Sequence, residues 1–347
     1  MNTIDLFAGA NSAAGFYCRY QCLAEDSLNR VFILKGGPGT GKSTMIKRVA
    51  SHFSCPLEKY HCTAAPDSLD ALFIPSLLVS VIDGTAPHTI DPSLPGAVQQ
   101  VIDLGSFWDE SILIAQRQKI QDIAAEKTAR FKSAYGWLAV AGKLADQVQQ
   151  LERRGTFPSP QEVAAKISGY IPRTGAGTNR HAFATGITAA GIVNYLPGLK
   201  ARHSFSLTGG NRAFNSLVLE EIARRLSRDN IPAHYLYCGL QPQYLEHIYI
   251  PGEFAVFSSH PPHTIKGNTG EFGLEYTGPS ELESQVSKFI QRGIKTMAEA
   301  ARFHSELEEI YSSSMDYTPI AGLPERIVEA IRHSSPKNPE TGSLGST

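Results

Sequence analysis

The sequence predicts an α/β protein made of two copies of one plan, each a mostly parallel β-sheet with flanking helices and a long helical excursion. The first observation behind this prediction is a short apolar run followed by a glycine-rich loop and a helix. The second is a pair of long helical stretches. The third is an internal repeat, which divides the chain into domains at residues 1–175 and 176–333 and leaves a tail at 334–347. The tail is rich in Ser, Pro and Gly, and we expect it to be disordered.

The composition is that of a globular protein with ample core. The chain has 347 residues, of which 42% are hydrophobic and 19% charged, and a formal net charge of −1. This charge and the absence of a basic stripe argue against nucleic acid as a partner. Five cysteines form no C-x-x-C pair, so we expect buried thiols in a reducing compartment. No segment is long and apolar enough for a membrane span, so the expected location is cytoplasmic.

The glycine-rich loop follows the apolar, β-branched run at 31–34 and leads into a predicted helix over 44–50. A strand, a glycine loop and a helix in this order are the context of the phosphate-binding motif G-x-x-x-x-G-K-[ST]. The alternative interpretation is an ordinary glycine-rich turn before a helix. The motif predicts that the nucleotide is bound by Gly36, Gly37, Pro38, Gly39, Thr40, Gly41, Lys42, Ser43 and Thr44.

Each residue type in this loop has a physical role. The glycines let successive backbone N–H groups turn toward one point without a Cβ in the way. The N-terminus of the helix adds the positive end of its dipole. Lys42 is expected to reach the β- and γ-phosphates, and the Ser43 hydroxyl to hold Mg²⁺.

The elements around the loop are predicted from patterns of apolar residues. A helix is predicted over 17–28, a strand over 57–62, and a hairpin or strand pair over 71–74 and 77–83. The chain is expected to be helical over 108–154 and again over 161–167.

Asp83 ends the last strand of the pair, where a neighbouring parallel strand of a phosphate-loop fold places a carboxylate on Mg²⁺. The alternative is an aspartate that caps a strand end. His88 follows in a loop at the same edge, where it could sense the γ-phosphate or orient water. A structural role is the alternative, because His263 occupies the matching position in the second half.

Asp67 and Asp70 follow the second strand, where many phosphate-loop kinases place the carboxylate that handles the acceptor hydroxyl. The alternative is a turn-capping Asp67 and a solvent-facing Asp70. Asp83 is followed by Gly84, so the glutamate that activates water in many ATPases is missing from that position.

The second half repeats the first. Residues 183–191 match 7–15, and the segment 204–210 matches the first strand and the beginning of its loop. A helix is predicted over 217–226 and a strand over 233–238, and residues 256–265 match 81–90 with a shared Pro-His-Thr-Ile ending. A last short helix after Pro324 corresponds to the one after Pro160.

The second loop lacks the chemistry of the first. Arg212 stands in the position of Gly39, Phe214 in that of Gly41 and Asn215 in that of Lys42, whereas Ser216 is kept. The position of Asp83 is Ser258. We therefore expect a degenerate domain that regulates or completes the first, with anion binding by Arg212 as the alternative.

Five segments together resemble a family of largely uncharacterised bacterial ATP-binding proteins with tandem phosphate-loop domains. They are FAGANSAAGF, GGPGTGKS, the HC and PDSLD pair, IP, and VIDGTAPH. The resemblance covers nearly the whole chain and implies ATP and Mg²⁺, but little about the substrate. Both loops are usually intact in that family, and residues 211–215 depart from its pattern.

The resulting hypothesis is a Mg²⁺-dependent ATPase, in which Lys42, Asp83 and His88 are catalytic and Ser43 and Asp83 hold the metal. A small-molecule kinase with Asp67 or Asp70 as its base, and a nucleotide-binding scaffold without turnover, are the alternatives. Arg19, Arg180 and Arg202 are candidates for a transition-state arginine, with none favoured. The sequence leaves self-association open.

Overall fold

The computed structural model describes residues 3–152, 158–175, 177–208, 212–258, 269–273 and 280–334. Three sequence predictions fall on residues outside these ranges: the tail from 335 onward, the beginning of the second loop at 209–211, and His263 with its neighbours. Among the described helices, none has the length and apolar character needed to span a membrane.

Six strands of the first half form one mixed sheet. They are β1 (Ile4–Leu6), β4 (Arg30–Lys35), β5 (Glu58–His61), β6 (Leu69–Ile74), β7 (Val79–Asp83) and β8 (Gln99–Asp103), and their order is β1-β5-β6-β7-β4-β8. β6 runs antiparallel to both its neighbours, and the other neighbouring pairs are parallel. A separate antiparallel hairpin consists of β2 (Gly9–Ser12) and β3 (Gly15–Cys18).

The second half has the same arrangement. Its sheet contains β9 (Arg180–Ala182), β12 (Ala201–Thr208), β13 (His234–Tyr237), β14 (Leu245–Ile250), β15 (Gly252–Ser258) and β16 (Thr269–Gly273), in the order β9-β13-β14-β15-β12-β16. β14 is antiparallel to both its neighbours, as β6 is, and β10 (Thr185–Thr188) and β11 (Gly191–Asn194) form the matching hairpin. Leu34 is paired with Asp83 in the first sheet and Leu207 with Ser258 in the second, so the register also agrees at this point.

The central strand β4 shows why these segments form a buried sheet. Val31 and Ile33 contribute to one apolar cluster, whereas Phe32 and Leu34 contribute to another on the opposite face. Successive side chains of a strand point to opposite faces, so a strand covered on both sides is apolar at every position. The predicted α/β class is confirmed.

The helices are α1 (Lys42–Ser51), α2 (Glu110–Ala115), α3 (Arg117–Glu152), α4 (Pro160–Ser168), α5 (Arg212–Arg228), α6 (Ser280–Ser313) and α7 (Leu323–His333). α3 and α6 are the two long helical excursions, and they pack against each other along two apolar clusters. Their helical character agrees with the sequence prediction. Ser159 and Glu162 form a capping box that fixes the beginning of α4.

The last short helix of each half packs on the other half. Ile327 and Ile331 of α7 share an apolar cluster with Val49 of α1, which is the helix that follows the glycine loop. In the same way, Val163 and Ile167 of α4 join the cluster around α5, including Val218, Leu219 and Ile222. The helices of the two halves are therefore exchanged, and neither loop helix is covered by its own half alone.

The two sheets meet at their β1 and β9 edges. Phe7 and Phe183 exchange two backbone hydrogen bonds of 2.8 Å, one in each direction. Glu58 of the first half contacts two residues of the second half. Its carboxylate accepts a hydrogen bond from Arg180 Nε at 3.3 Å and lies 3.0 Å from His234 Nε2. The side chains of all three are buried, so charged groups as well as apolar ones join the halves.

The helix predicted over 17–28 is wrong. Strand β3 extends to Cys18, and the helical structure that follows it is a single 3₁₀ turn, Tyr20–Leu23. The hydroxyl of Tyr20 reaches Asp70 and the thiol of Cys22 reaches the His181 carbonyl, so long-range contacts fix this segment. Local helical spacing was therefore outweighed by tertiary contacts.

Candidate functional site

The glycine loop, residues 36–43, begins at the carboxyl end of β4 and includes the first two residues of α1, Lys42 and Ser43. Gly39 has φ 72° and Gly41, the N-cap of α1, has φ 83°. A side chain at either position would be strained because L-residues rarely adopt this left-handed conformation. The loop therefore needs glycine at both positions, and it ends with the N–H groups of the first turn of α1 free of intrahelical partners.

Lys42 lies folded over the loop that precedes it. Its Nζ donates hydrogen bonds of 2.7 Å to the backbone oxygens of Gly36 and Gly37, and it lies 3.6 Å from a carboxylate oxygen of Asp83. The Lys42 and Asp83 side chains are only 12% and 14% exposed. β7 is the parallel neighbour of β4, so its last residue reaches the same edge of the sheet as the loop. The structure therefore brings together two predicted site residues that are 41 positions apart in the sequence.

Asp83 is held in place by Thr85, a residue that the sequence reasoning missed. The Thr85 N–H donates to Asp83 Oδ1 at 2.9 Å, and its hydroxyl donates to the Gly36 oxygen at 3.0 Å. The local signal was the Asp-x-Thr spacing, which is typical of an Asx turn. Thr85 thus connects the end of β7 to the glycine loop.

Ser43 and Asp83 offer a hydroxyl and a carboxylate oxygen at the beginning of α1. Ser43 Oγ accepts the backbone N–H of Leu69 at 2.9 Å, which ties α1 to β6 and leaves the hydroxyl a lone pair for a cation. Proteins bind Mg²⁺ through a small number of hard oxygen ligands, because the ion keeps water molecules and phosphate oxygens as its other ligands. The residues present fit such an ion.

Asp70 is buried beside this pair, so the prediction of a solvent-facing Asp70 is wrong. Its carboxylate accepts from the Tyr20 hydroxyl at 2.8 Å and lies 3.7 Å from His88 Nε2. Burial raises the pKa of Asp70, and the nearby charge of Asp83 adds to the rise, while His88 opposes it. Asp67, the other candidate base, is exposed to solvent. Only one of the two aspartates is therefore part of the site.

His88 is fixed from three sides. Its Nδ1 lies 2.8 Å from the Asp83 carbonyl oxygen, its ring stacks on Tyr20 with 4.6 Å between centroids, and its Nε2 faces Asp70. Because a carbonyl oxygen can only accept, Nδ1 carries a hydrogen. One ligand atom each from Asp70, Asp83 and His88 lie within 4.8 Å of one another. The local sequence gave no signal for Tyr20 or for the burial of Asp70.

The corresponding site in the second half is neutral where the first is charged. Asn215 Nδ2 donates to Ser258 Oγ at 3.0 Å, in place of the contact between Lys42 and Asp83. Ser216 Oγ still accepts a backbone N–H, that of Leu245 at 3.0 Å, just as Ser43 accepts that of Leu69. The helix-to-strand connection is thus the same in both halves, but the ion pair is present in the first only.

Glu246 stands in the second half where Asp70 stands in the first. Burial raises its pKa, against the opposing effects of Arg212 and of a hydrogen bond with Cys238. Arg212 Nη1 donates to Gln241 Oε1 at 2.5 Å, and Gln241 Nε2 donates to Asp146 of α3 at 2.6 Å. A buried acid therefore persists in the second half with a different basic neighbour.

The three arginines considered from the sequence contact other parts of the molecule. Arg180 is buried against Glu58, and the guanidinium of Arg19 lies 3.3 Å from the centroid of the Tyr237 ring. Arg202 is exposed near the beginning of β12, whereas the loops follow the ends of the strands. None of the contacts given by these side chains involves the glycine loop.

Residues of the second half cover the glycine loop. A Cβ atom on Gly39 would lie 2.7 Å from the Glu308 backbone oxygen in α6, and the Tyr317 hydroxyl donates to the Gly39 oxygen at 2.6 Å. Trp108 of the first half also covers the loop, since its indole lies 3.2 Å from the position that a Cβ atom on Gly37 would take. From the second half, sequence patterns suggested only the arginines Arg180 and Arg202 as candidates, and they indicated neither Glu308 nor Tyr317.

Comparisons of this chain with protein-family models, with curated proteins and with solved structures give no match.

Proposed function

We propose that the first half binds a nucleoside triphosphate, ATP by preference, together with Mg²⁺, and hydrolyses it. The observation that carries the proposal is the position of Lys42 and Asp83. Lys42 Nζ lies 3.6 Å from a carboxylate oxygen of Asp83, and both side chains are largely buried. The pair lies at the N-terminus of a helix that follows a loop with glycines at left-handed φ. A cation, a carboxylate and a row of backbone N–H groups at one helix N-terminus form an anion site with its own metal ligand.

In the nucleotide complex, Lys42 exchanges its two backbone oxygens for oxygens of the β- and γ-phosphates. Ser43 and Asp83 would hold Mg²⁺, and the ion would supply neutralisation of the phosphate charge. Thr85 keeps the Asp83 carboxylate at the loop through its N–H, and His88 keeps the Asp83 backbone in place. His88 therefore acts as a positioning residue in this proposal.

Asp70 is the proposed general base. Leu69, its neighbour in the chain, is bonded to Ser43, so Asp70 is anchored beside the first turn of α1. In the reaction, a water oxygen attacks the γ-phosphorus and the water proton passes to the Asp70 carboxylate. The bond from the γ-phosphorus to the bridging oxygen breaks, and ADP leaves with the electron pair. Tyr20 and His88 orient the carboxylate, and burial makes it a stronger base than an exposed aspartate.

A small-molecule kinase is the second candidate. A buried carboxylate that can take a proton from water can also take one from an acceptor hydroxyl, and the burial of Asp70 suits a site from which water is excluded. Release of phosphate by the purified protein separates the candidates. Turnover without an added acceptor supports the ATPase, turnover only with a pool of small hydroxyl compounds supports the kinase, and nucleotide binding without any turnover supports a scaffold.

Substitution of the two equivalent loop residues tests the binding site. Lys42→Ala removes two or three charge-assisted hydrogen bonds to phosphate, each worth about 1.5–3 kcal/mol, and we expect Mg-ATP affinity to fall at least about a hundredfold. Asn215→Ala is the matched control in the second half and is expected to change affinity less than about twofold. Calorimetric titration measures both and gives the expected stoichiometry of one nucleotide per chain. Equal losses, or two nucleotides per chain, would contradict the proposal.

Substitution of the base tests the chemistry. Asp70→Asn is expected to lower kcat by about 10²–10⁴-fold while Mg-ATP affinity stays close to that of the unaltered protein. Asp67→Asn, at the nearby exposed aspartate, is the control and is expected to have no effect on kcat. If both variants turn over ATP at the original rate, Asp70 is not the base.

A further inference from the structure

The long helices α3 and α6 run antiparallel, and their pairing defines which residues face each other over the glycine loop. Ile123 of α3 and Leu307 of α6 pack in one apolar cluster. Two turns further along, Arg130 Nη1 lies 3.2 Å from Glu299 Oε2. In an antiparallel pair the residue numbers of two facing positions have a constant sum, which is about 430 here. This sum shows which residue of α6 faces each residue of α3 between the two contacts.

Lys127 of α3 and His304 of α6 lie opposite each other between these contacts. Both are half-buried, in contrast to the exposed Glu126 and Ser305 beside them. His304 points toward the end of α6 whose backbone covers Gly39, because Glu308 is one turn after it and lies 3.6 Å from its Nε2; the charge of the same Glu308 acts on Lys127. Two basic residues from the two halves of the chain thus lie at the same level of the helix pair, next to the end of α6 that covers the glycine loop.

The charges around them are not balanced. Burial lowers the pKa of Lys127, and only Glu308 opposes this. Burial also lowers the pKa of His304, and the positive charges of Lys127 and Lys42 lower it further against the opposing effect of Glu308. The positive charges of Lys127 and Lys42 therefore both act on His304, and the carboxylates beside these groups are Glu308 next to His304 and Asp83 next to Lys42.

Such an arrangement favours an anion. Bringing like charges together out of water costs free energy, and a bound phosphate group removes that cost while giving each basic group a charge-assisted partner. Lys42 belongs to the end of the loop where the β- and γ-phosphates of a nucleotide are expected. An anion bound between Lys42, Lys127 and His304 would therefore be the terminal phosphate.

We propose that Lys127 and His304 bind the terminal phosphate of the nucleotide, so that the α3–α6 helix pair completes the site of the first half. The proposal rests on the proposed nucleotide function and extends it. It gives the second half a role. α6 carries His304 and the backbone that covers Gly39, and Tyr317, four residues after the end of α6, donates a hydrogen bond to the loop. The loop distinguishes a triphosphate from a diphosphate only when this helix pair lies over it.

The test compares a nucleotide that has a terminal phosphate with one that lacks it. Mg²⁺ with a non-hydrolysable β,γ-imido analogue of ATP, and Mg²⁺ with ADP, are titrated calorimetrically into the full chain. Lys127→Ala and His304→Gln are each expected to weaken binding of the analogue about tenfold and that of ADP less than about twofold. Lys127→Arg keeps the charge and is expected to retain most of the affinity for the analogue.

Matched controls lie on the same helices. Lys132 of α3 and Arg302 of α6 are exposed basic residues, and alanine at either position is expected to leave both affinities unchanged. Thermal unfolding of every variant shows whether it is folded. Because the measured quantity is the ratio of two affinities in one protein sample, a general loss of folded protein does not alter it.

The outcomes separate this inference from the proposed function. If Lys42→Ala abolishes binding but Lys127→Ala and His304→Gln leave the ratio of analogue to ADP affinity unchanged, the helix pair does not bind the terminal phosphate. Equal weakening of analogue and ADP also overturns the inference, since it indicates a structural role. If Lys42→Ala binds both nucleotides like the unaltered protein, the proposed nucleotide site itself is wrong.

Discussion

Replacing Glu58 by glutamine tests whether buried charge joins the two halves. The carboxylate of Glu58 accepts from Arg180 Nε at 3.3 Å, lies 3.0 Å from His234 Nε2, and accepts from the Tyr60 hydroxyl at 2.7 Å. The Arg180 guanidinium, whose side chain is 1% exposed, lies 3.7 Å from the centroid of the Phe73 ring. Glu58→Gln keeps the shape and removes the charge, so a buried arginine from the other half loses its counter-charge.

The magnitude follows from the distance and the burial. At an effective dielectric constant of about 20, unit charges 3.3 Å apart attract by about 5 kcal/mol. Removing one partner of a buried pair costs about 3–5 kcal/mol, because the other charge stays buried and unpaired. Glutamine still offers one acceptor oxygen, so we expect a loss of about 3 kcal/mol in the free energy of unfolding.

The assay is urea unfolding followed by circular dichroism, with Glu325→Gln as the matched control. Glu325 forms a shorter contact with Arg48, 2.6 Å, but both side chains are about half exposed. Exposed ion pairs contribute little, so we expect a much smaller loss despite the shorter distance. Adding Arg180→Met to Glu58→Gln removes the unpaired cation and is expected to restore part of the stability. A loss for Glu325→Gln equal to or above that for Glu58→Gln would refute the reasoning that burial, and not distance, decides the effect.

Two further predictions concern acid and the glycine loop. Burial by itself raises the pKa of Glu58, but His234, Arg180 and Tyr60 together hold this pKa below its ordinary value of about 4.3. The contribution of Glu58 to stability is therefore lost as the pH falls from about 4.3 through the lower pKa of the folded state. The difference in unfolding free energy between the unaltered protein and Glu58→Gln, measured by urea titration from pH 7 to pH 3, should therefore shrink only below about pH 4; a constant difference would contradict this. Gly39 and Gly96 have similar positive φ angles, 72° and 80°, so alanine at either position causes similar backbone strain. The two substitutions differ in their contacts: the Cβ of Gly39→Ala would lie 2.7 Å from the Glu308 backbone, whereas that of Gly96→Ala would meet no atom within 4 Å. We expect Gly96→Ala to cost about 1–2 kcal/mol and Gly39→Ala clearly more, with faster hydrogen exchange at the end of α6; equal costs would show that α6 does not press on the loop.

Nucleotide-dependent ordering of α6 would connect these observations. The loop is in contact with Glu308 and Tyr317 of the second half, and its helix α1 is covered by α7. A ligand held by Lys42, Lys127 and His304 would favour the conformation in which these elements lie together, since a ligand stabilises the state to which it binds more tightly. The exchange of helices between the halves gives the second half, with its neutral Asn215–Ser258 pair, a part in the site of the first.

Local sequence determined the elements that carry the proposed chemistry. The glycine spacing and the adjoining Lys42 and Ser43 are contiguous, and their conformation depends on φ values that glycine alone adopts readily. The apolar runs of β4 and β7 were recognisable because a strand buried on both faces is apolar throughout, and the position of Asp83 followed from the end of such a run. The repeat was visible because each half forms the same elements in the same order.

Tertiary structure alone decided the rest. Tyr20 was assigned to a helix because its local spacing permits one, but its contact with Asp70 spans 50 residues and fixes a different conformation. The burial of Asp70 depends on three separate segments, and the covering of Gly39 by Glu308 joins residues that lie at opposite ends of the chain. Periodicity and propensity report only on neighbours in sequence, whereas burial, pKa and the position of Lys127 opposite His304 depend on which surfaces pack together.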